Sequence, residues 1–236
     1  NVCARMSLLS ESQILYSCAI DKGIPIDLEL GNVLMSVYAN TGNIEDARIV
    51  FNYNIPHHDV ISWTTMIVAY TQHAYAREAI ELFQLMYCRE GIEPTQISFV
   101  SILSACSHAG LLDEGFCQFK FMIKNHGIKP NSTHYNCLID LLGRLGCLDE
   151  AEALIRTMPD LPDIISWKSL LTSCKTHSNT ELGRHCFNAA VQSDPHDSAG
   201  YVLMSNIFAV AGMQEDAKKV ESMRLKYTSP EGMNQY

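Results

Sequence analysis

The apolar positions of this chain recur in a fixed register. Counting from residues 28, 60, 96, 132, 164 and 198, the seventh position is Leu34, Met66, Ile102, Leu138, Leu170 and Met204. The fourth is Gly31, Trp63, Phe99, Tyr135, Trp167 and Tyr201, aromatic in five of six. The twentieth is always small: Ala47, Ala79, Gly115, Ala151, Gly183 and Ala217. Successive registers are 32, 36, 36, 32 and 34 residues apart, and none needs a gap in its first twenty positions. Apolar residues at positions 4, 7, 8 and 11, as in Trp63, Met66, Ile67 and Tyr70, mark one face of a helix. A glycine at position 15, as in Gly42, Gly110, Gly146 and Gly212, supplies a left-handed cap that ends it. Acidic pairs near position 18, such as Asp113-Glu114 and Asp149-Glu150, then open a second helix, where the helix dipole favours negative charge. The small residue at position 20 lets the two helices approach closely. Pro56, Pro94, Pro130, Pro159 and Pro195 are expected to stop the second helices.

A helical hairpin of this length cannot bury its apolar face alone, but stacked neighbours can. The expected fold is therefore all-α, a right-handed α-solenoid of stacked antiparallel helix-turn-helix repeats. Residues 2–12 align with 105–115, which makes Asn1 the ninth position of a repeat. The chain is expected to begin inside a helix and to be a segment of a longer array. That would also account for the lack of a recognisable targeting peptide.

Composition narrows the class. At 47% apolar and 18% charged, the chain has enough apolar content for a packed core. Its longest apolar runs, Met66 to Tyr70 and Ile207 to Ala211, fall far short of the ~20 residues of a membrane-spanning helix. Seventeen Lys and Arg against 26 Asp and Glu give a net charge of −9, unlike a protein that holds nucleic acid mainly by neutralising phosphates. Nine scattered cysteines without a Cys-x-x-Cys pair read as reduced thiols acting as small buried hydrophobes, which suits a reducing compartment.

The alternation of 32- and 36-residue units departs from the constant period of about 34 in tetratricopeptide repeats. It resembles the pentatricopeptide repeat family, specifically the plant PLS subclass with C-terminal E motifs, the organellar RNA editing factors. Residues 1–27 read as a truncated L-type repeat. Residues 28–59, ending Ile55-Pro56-His57-His58-Asp59, resemble an S repeat. Residues 60–95, opening Val60-Ile61-Ser62-Trp63, resemble a P repeat. Residues 96–131, with Ser104-Ala105-Cys106-Ser107-His108-Ala109-Gly110, resemble the final L-type repeat. Residues 132–163, with Leu141-Leu142-Gly143-Arg144 and Met158-Pro159, resemble the final S-type repeat. Residues 164–197 and 198–236 resemble the E1 motif and the E2 motif with its tail. The ending Ser229-Pro230-Glu231-Gly232-Met233 departs from the family's usual continuation.

The resemblance implies that each repeat addresses one base of single-stranded RNA through position 5 and the last position. An amide at position 5 offers a donor and an acceptor to a pyrimidine edge. Apolar residues at position 2 of successive repeats sandwich the base and supply stacking affinity. The implied RNA-binding residues are Asn32 with Asp59, Thr64 with Thr95, Val100 with Asn131, and Asn136 with Asp163, flanked by Ile61 and Ile97. The two Asn/Asp pairs imply uracil, then cytosine. Thr64 leans toward a purine. Val100 cannot hydrogen-bond and implies little readout. Glu29 breaks the apolar rule at position 2. The plainer reading of the same residues is helix capping, which Asn and Asp before a helix commonly provide. Arg77, Lys120, Lys124, Arg144, Lys168 and Lys175 are scattered rather than clustered, so weak binding with a shallow salt dependence is expected.

No chemistry of the chain's own is expected. No His-x-Glu or Cys-x-x-Cys of a zinc deaminase occurs. His57-His58-Asp59 reads as a solvated turn, and Cys137 and Cys147 lack ligand spacing. The chain is expected to be non-catalytic and to take no cofactor or metal. The implied role is a specificity factor for C-to-U editing of organellar transcripts in mitochondrion or chloroplast. The implied partners are organellar RNA, editing-factor proteins along the L repeat 96–131, and a cytidine deaminase domain supplied in trans or by a further C-terminal segment. A protein-binding scaffold, or a structural subunit of an organellar ribonucleoprotein or transcription complex, is the alternative that the acidic charge favours.

Overall fold

The computed structural model describes residues 26–54 and 57–228, together with 11, 13, 14, 16–18 and 21–23. The chain divides into two compact units, residues 1–128 and 129–236. Among the described residues the first contains α1 (Leu28–Thr41), α2 (Ile44–Ile49) continuing into a π-helical turn (Val50–Asn54), α3 (Val60–Gln72), α4 (Ala76–Cys88), α5 (Gln96–Ala109) and α6 (Leu112–His126). The second contains α7 (Ser132–Arg144), α8 (Leu148–Arg156), α9 (Ile164–Thr176), α10 (Thr180–Ser193), α11 (Ser198–Val210) and α12 (Gln214–Thr228). In each unit the odd-numbered helices pack side by side, α1 on α3 on α5 and α7 on α9 on α11. Each even-numbered helix packs on the odd one before it. The fold is an all-helical repeat of stacked helix pairs.

The repeat register accounts for this core. All six residues at position 7 are buried, and so are all six small residues at position 20. Each large apolar side chain withdrawn from water contributes roughly 1.5–3 kcal/mol. Position 4 is less uniform: Trp63, Phe99 and Tyr201 are buried, whereas Tyr135 and Trp167 are half-buried.

Position 15 is left-handed in every pair. Four of these residues are the glycines at 42, 110, 146 and 212, with φ of 89, 68, 79 and 76°. The other two are Ala74 at 64° and Ser178 at 56°, where a side chain is strained. In those two pairs position 14 is histidine. His73 Nε2 donates to the Ala39 carbonyl at 2.8 Å, and His177 Nε2 donates to the Gly143 carbonyl at 2.9 Å. Each acceptor lies near the C-terminal end of the preceding odd-numbered helix, where carbonyls lack intrahelical partners. The imidazole thus ties one hairpin to the next at the place where the glycine is missing.

Two expectations change. Three of the prolines do not mark the helix ends: α4, α6 and α8 stop three to six residues before Pro94, Pro130 and Pro159, whereas α10 ends at Ser193 with its C-cap Asp194 directly before Pro195, as expected. In α6 the terminator is Gly127, a left-handed cap whose N–H reaches the Met122 carbonyl. Pro56 lies outside the described residues. The cysteines are less uniformly buried than expected: Cys106, Cys174 and Cys186 are buried, Cys137 and Cys147 half-buried, and Cys18, Cys88 and Cys117 exposed. A cysteine on a two-sided helix is buried only when it falls on the core-facing stripe. Cys3 lies outside the described residues.

Candidate nucleic-acid interface

The last residue of each repeat caps the next odd-numbered helix. Asp27, Asp59, Thr95, Asn131, Asp163 and Asp197 all hold extended backbone and accept from the N–H three residues on. The plain capping reading is therefore correct for Asp59, Thr95, Asn131 and Asp163. The even-numbered helices α2, α4, α6 and α8 have no such side-chain cap; α2, α6 and α8 open on paired acids and α4 on Glu78.

The capping residues are also wired to position 5, through a residue that the sequence reading did not single out. Position 3 is Ser62, Ser98, His134 and Ser166, all wholly buried. Thr64 Oγ1 lies 2.8 Å from Ser98 Oγ, which lies 3.1 Å from Thr95 Oγ1. Asn136 Oδ1 lies 2.6 Å from Ser166 Oγ, which lies 2.8 Å from Asp163 Oδ1. A hydroxyl has one proton, and the carboxylate is the stronger acceptor. The chain is complete when the hydroxyl donates to Asp163 and the Asn136 amide, whose two ends are interchangeable by a flip, turns its NH2 to Oγ. Asn131 closes on His134 instead, with Oδ1 2.7 Å from Nδ1, and Val100 has no polar side-chain atom to join the pair.

Asn32 is connected differently. Ser62 gives both its N–H and its hydroxyl to Asp59 Oδ1, at 2.8 and 3.0 Å. The Asn32 side chain hydrogen-bonds to Asp59 directly. Burial raises the Asp59 pKa, but the hydrogen bonds from Ser62, Asn32 and the Ile61 N–H outweigh it and hold the carboxyl below its ordinary range. Asn32 Oδ1 is buried without a hydrogen-bond partner.

The first unit presents these pairs to solvent in two adjoining clefts. One, of about 590 Å³, is lined by Glu29, Asn32, Val33, Asp59 and Ile61. The other, of about 400 Å³, is lined by Ile61, Thr64, Thr95 and Ile97. Ile61 belongs to both and stands between them. It is 58% exposed and Ile97 65% exposed, although both lie in helices whose other apolar residues are mostly buried. A flat ring seated in the second cleft would have an isoleucine on either side and Thr64 and Thr95 on its lining, with Ser98 buried behind them. The first cleft has Ile61 on one side and the exposed Glu29 on the other.

The remaining cations do not form a cluster around these clefts. Arg77, Lys120, Lys124, Arg144 and Lys175 are exposed, and Arg144 is paired with Asp140 at 2.8 Å. Among the described residues no group of His, Cys, Asp and Glu is arranged to hold a metal ion, and no helix is long and apolar enough to cross a membrane.

Stacked helical hairpins with a polar pair and an exposed apolar residue recurring at fixed positions define a modular helical repeat protein. Family profiles place it further. PPR repeat profiles match residues 32–53, 97–126 and 126–159, the PPR repeat family profile matches 58–108, and the E motif profile matches 177–230. The chain belongs to the pentatricopeptide repeat family and carries a C-terminal E motif. A chloroplastic pentatricopeptide repeat-containing protein of Arabidopsis thaliana is 38% identical over 92% of this chain and 25% of its own length. Another from the same plant is 40% identical over 94% of this chain and 34% of its own. The chain thus spans about a quarter to a third of these relatives. Among solved structures, the pentatricopeptide repeat protein PPR10 in complex with an 18-nucleotide psaJ RNA element aligns with a TM-score of 0.79 at 21% identity. That alignment covers 92% of this chain and 32% of PPR10. PPR10 from maize, crystallised as such, aligns with a TM-score of 0.67 at 18% identity, over 93% and 33%. At these identities the likeness shows the fold.

Proposed function

We propose that this chain binds single-stranded RNA, one base per repeat, and that the whole protein specifies a site of C-to-U editing in an organellar transcript without performing the chemistry. The observation that carries the reading is Ile61, an exposed apolar side chain separating two clefts that each contain a position-5 residue and its capping partner. PPR10, which shares the fold, is known in complex with RNA. The order of long and short repeats followed by an E motif supports the editing role, in which residues 164–236 recruit a deaminase held by another chain or a further segment. Editing-factor proteins would dock along residues 96–131. Relatives named as chloroplastic support an organellar location.

In this reading Asn32/Asp59 and Asn136/Asp163 each select a pyrimidine, Thr64/Thr95 a purine, and Val100/Asn131 no base. Ile61 and Ile97 stack on the base at Thr64. The test is binding of short single-stranded RNAs with the base opposite each repeat varied in turn. Ile61→Ala should weaken all of them by roughly tenfold, since stacking contributes about 1–3 kcal/mol per base. Asn136→Thr should shift the preference at its own nucleotide from pyrimidine toward purine. An unchanged preference there would refute the assignment of Asn136. The net charge of −9 favours a second reading, a protein-binding scaffold; it would stand if the chain bound no RNA but retained protein partners.

A further inference from the structure

Residues 160–176 lie between the PPR profile match that ends at 159 and the E motif match that begins at 177. Helix α9 fills most of that gap, yet it is built like the odd-numbered helices before it. It is capped by Asp163, and its position 2, Ile165, is 60% exposed, as Ile61 and Ile97 are. What changes is the polar pair. Position 5 is Lys168 rather than a short side chain. Its Nζ lies 3.1 Å from Oδ1 of Asp197, the last residue of the hairpin. Asp197 Oδ2 accepts from the Gly200 N–H at 3.2 Å. Position 3 of the following helix, where Ser98 and Ser166 relay the contact in other hairpins, is Gly200 and has no side chain. The two changes compensate each other: the relay is removed and the position-5 residue is longer, so it reaches the capping carboxylate directly.

We infer that the hairpin 164–197 is itself a nucleotide site, one base beyond that addressed by Asn136, and that Lys168 makes it select bases with an exocyclic carbonyl. The inference rests on the RNA-binding reading above. An ammonium has three N–H donors and no acceptor. Asp197 takes one donor and fixes the head group, and Lys168 remains about 29% exposed with the other two. At the locus where pyrimidines carry substituent 4 and purines substituent 6, uracil and guanine offer a carbonyl oxygen, whereas cytosine and adenine offer an amine that repels a donor. The exposed Ile165 provides the stacking wall. Val202, at position 5 of the next hairpin, carries no hydrogen-bonding group, so polar readout ends at Lys168.

The test uses the whole chain and RNAs that differ only at the nucleotide 3′ of the one addressed by Asn136. The expected result is about tenfold tighter binding of U and G than of A and C. Lys168→Met should flatten that preference, while Lys175→Met, which removes the same charge from the same helix outside the pair, should leave it intact. A gain of function covers the case in which a single variant misfolds. Lys168→Asn with Gly200→Ser rebuilds the Asn136–Ser166–Asp163 arrangement and should convert the preference to pyrimidines. Discrimination at the Asn136 nucleotide but none at the next overturns this inference alone. Lack of discrimination at both overturns the RNA-binding reading as well. A Lys168→Met variant that keeps its RNA preferences but loses an acidic protein partner assigns the lysine to a protein interface and also overturns the inference.

Discussion

The hairpin pairs that begin at residues 28 and 132 carry the same asparagine at position 5 and the same aspartate at the end, yet the two are wired differently. In the second unit Asn136 meets Asp163 through the Ser166 hydroxyl. In the first, Ser62 is committed to Asp59, and Asn32 reaches that carboxylate directly with Oδ1 left unpartnered. The approach to the two aspartates differs as well. His58, just before Asp59, donates from Nε2 to the Phe51 carbonyl over 2.7 Å and packs on the Phe51 and Trp63 rings; Pro162 stands in its place before Asp163. A shared residue pair therefore does not fix a shared hydrogen-bond pattern. The difference in wiring goes together with a difference in the residue that leads the chain into the cap.

The largest test of this contrast lies in the packing beneath it. At position 12 the first unit has Ala39 and the second has Gly143. A Cβ on Gly143 would overlap the Ser173 side chain, 2.8 Å from its Cβ. Gly143→Ala should cost about 2–3 kcal/mol in denaturant unfolding, because both groups sit on packed helices with little room to shift. Adding Ser173→Gly should recover most of that loss. Ala39→Gly, the reverse change in the first unit, should cost only about 1 kcal/mol. Equal losses at 39 and 143 would break the contrast. Next in size is the relay. Ser166→Ala leaves the Asn136 amide and Asp163 facing a methyl group and should cost about 1–2 kcal/mol. Ser62→Ala should cost about half as much, since Asp59 keeps its bonds from Ser62 N–H, Asn32 and Ile61 N–H. Under the proposed RNA reading, Ser166→Ala should also blur the base preference assigned to Asn136, and Ser62→Ala should leave that assigned to Asn32 intact.

The all-helical repeat was legible because its signals are ones of residue type: large apolar at position 7, small at position 20, glycine at position 15. Three features were not. The relay serines read as ordinary residues in the first turn of a helix, and nothing local distinguishes Ser166, which meets Asn136 thirty residues away, from Ser62, which gives both its N–H and its hydroxyl to Asp59. Gly143 does not stand out in Leu141-Leu142-Gly143-Arg144, because its reason is a neighbour on another helix. The left-handed turns at Ala74 and Ser178 carry no glycine to announce them. The proposed base-reading roles of position 5 and the last position are implied by family resemblance and not by any local pattern. The structure adds that each last-position residue among 59, 95, 131 and 163 is committed to capping a helix before any ligand arrives.

The Asp59 carboxyl gives a smaller, pH-dependent test. Its hydrogen bonds lower its folded pKa, so between the unfolded and folded values the unfolded chain binds more protons. The stabilisation is complete above the unfolded value of about 4 and is lost as pH falls through the depressed folded value. Asp59→Asn keeps a capping oxygen but removes the titration. Its unfolding free energy should therefore fall less steeply than that of the parent on the acid side of pH 4. Parallel curves would mean that the hydrogen bonds around Asp59 hold no preference for its charged form.

The smallest expected effect concerns the two strained turns, one in each unit. Ala74 and Ser178 hold φ of 64 and 56°, where a Cβ crowds the following carbonyl. Glycine there relieves about 1 kcal/mol or more of strain, but it adds freedom to the unfolded chain, which returns part of the gain. Ala74→Gly and Ser178→Gly should each stabilise the protein by about 0.5 kcal/mol, read as a higher unfolding midpoint with an unchanged denaturant slope. The histidine ties sharpen this. His73→Ala or His177→Ala removes a hydrogen bond that holds the strained turn against the preceding hairpin. If the tie maintains the strain, the gain from glycine should be larger with the histidine present than in its absence. Equal gains in both backgrounds would mean that the turn is held by its own helices and that the imidazole is bound there without constraining it.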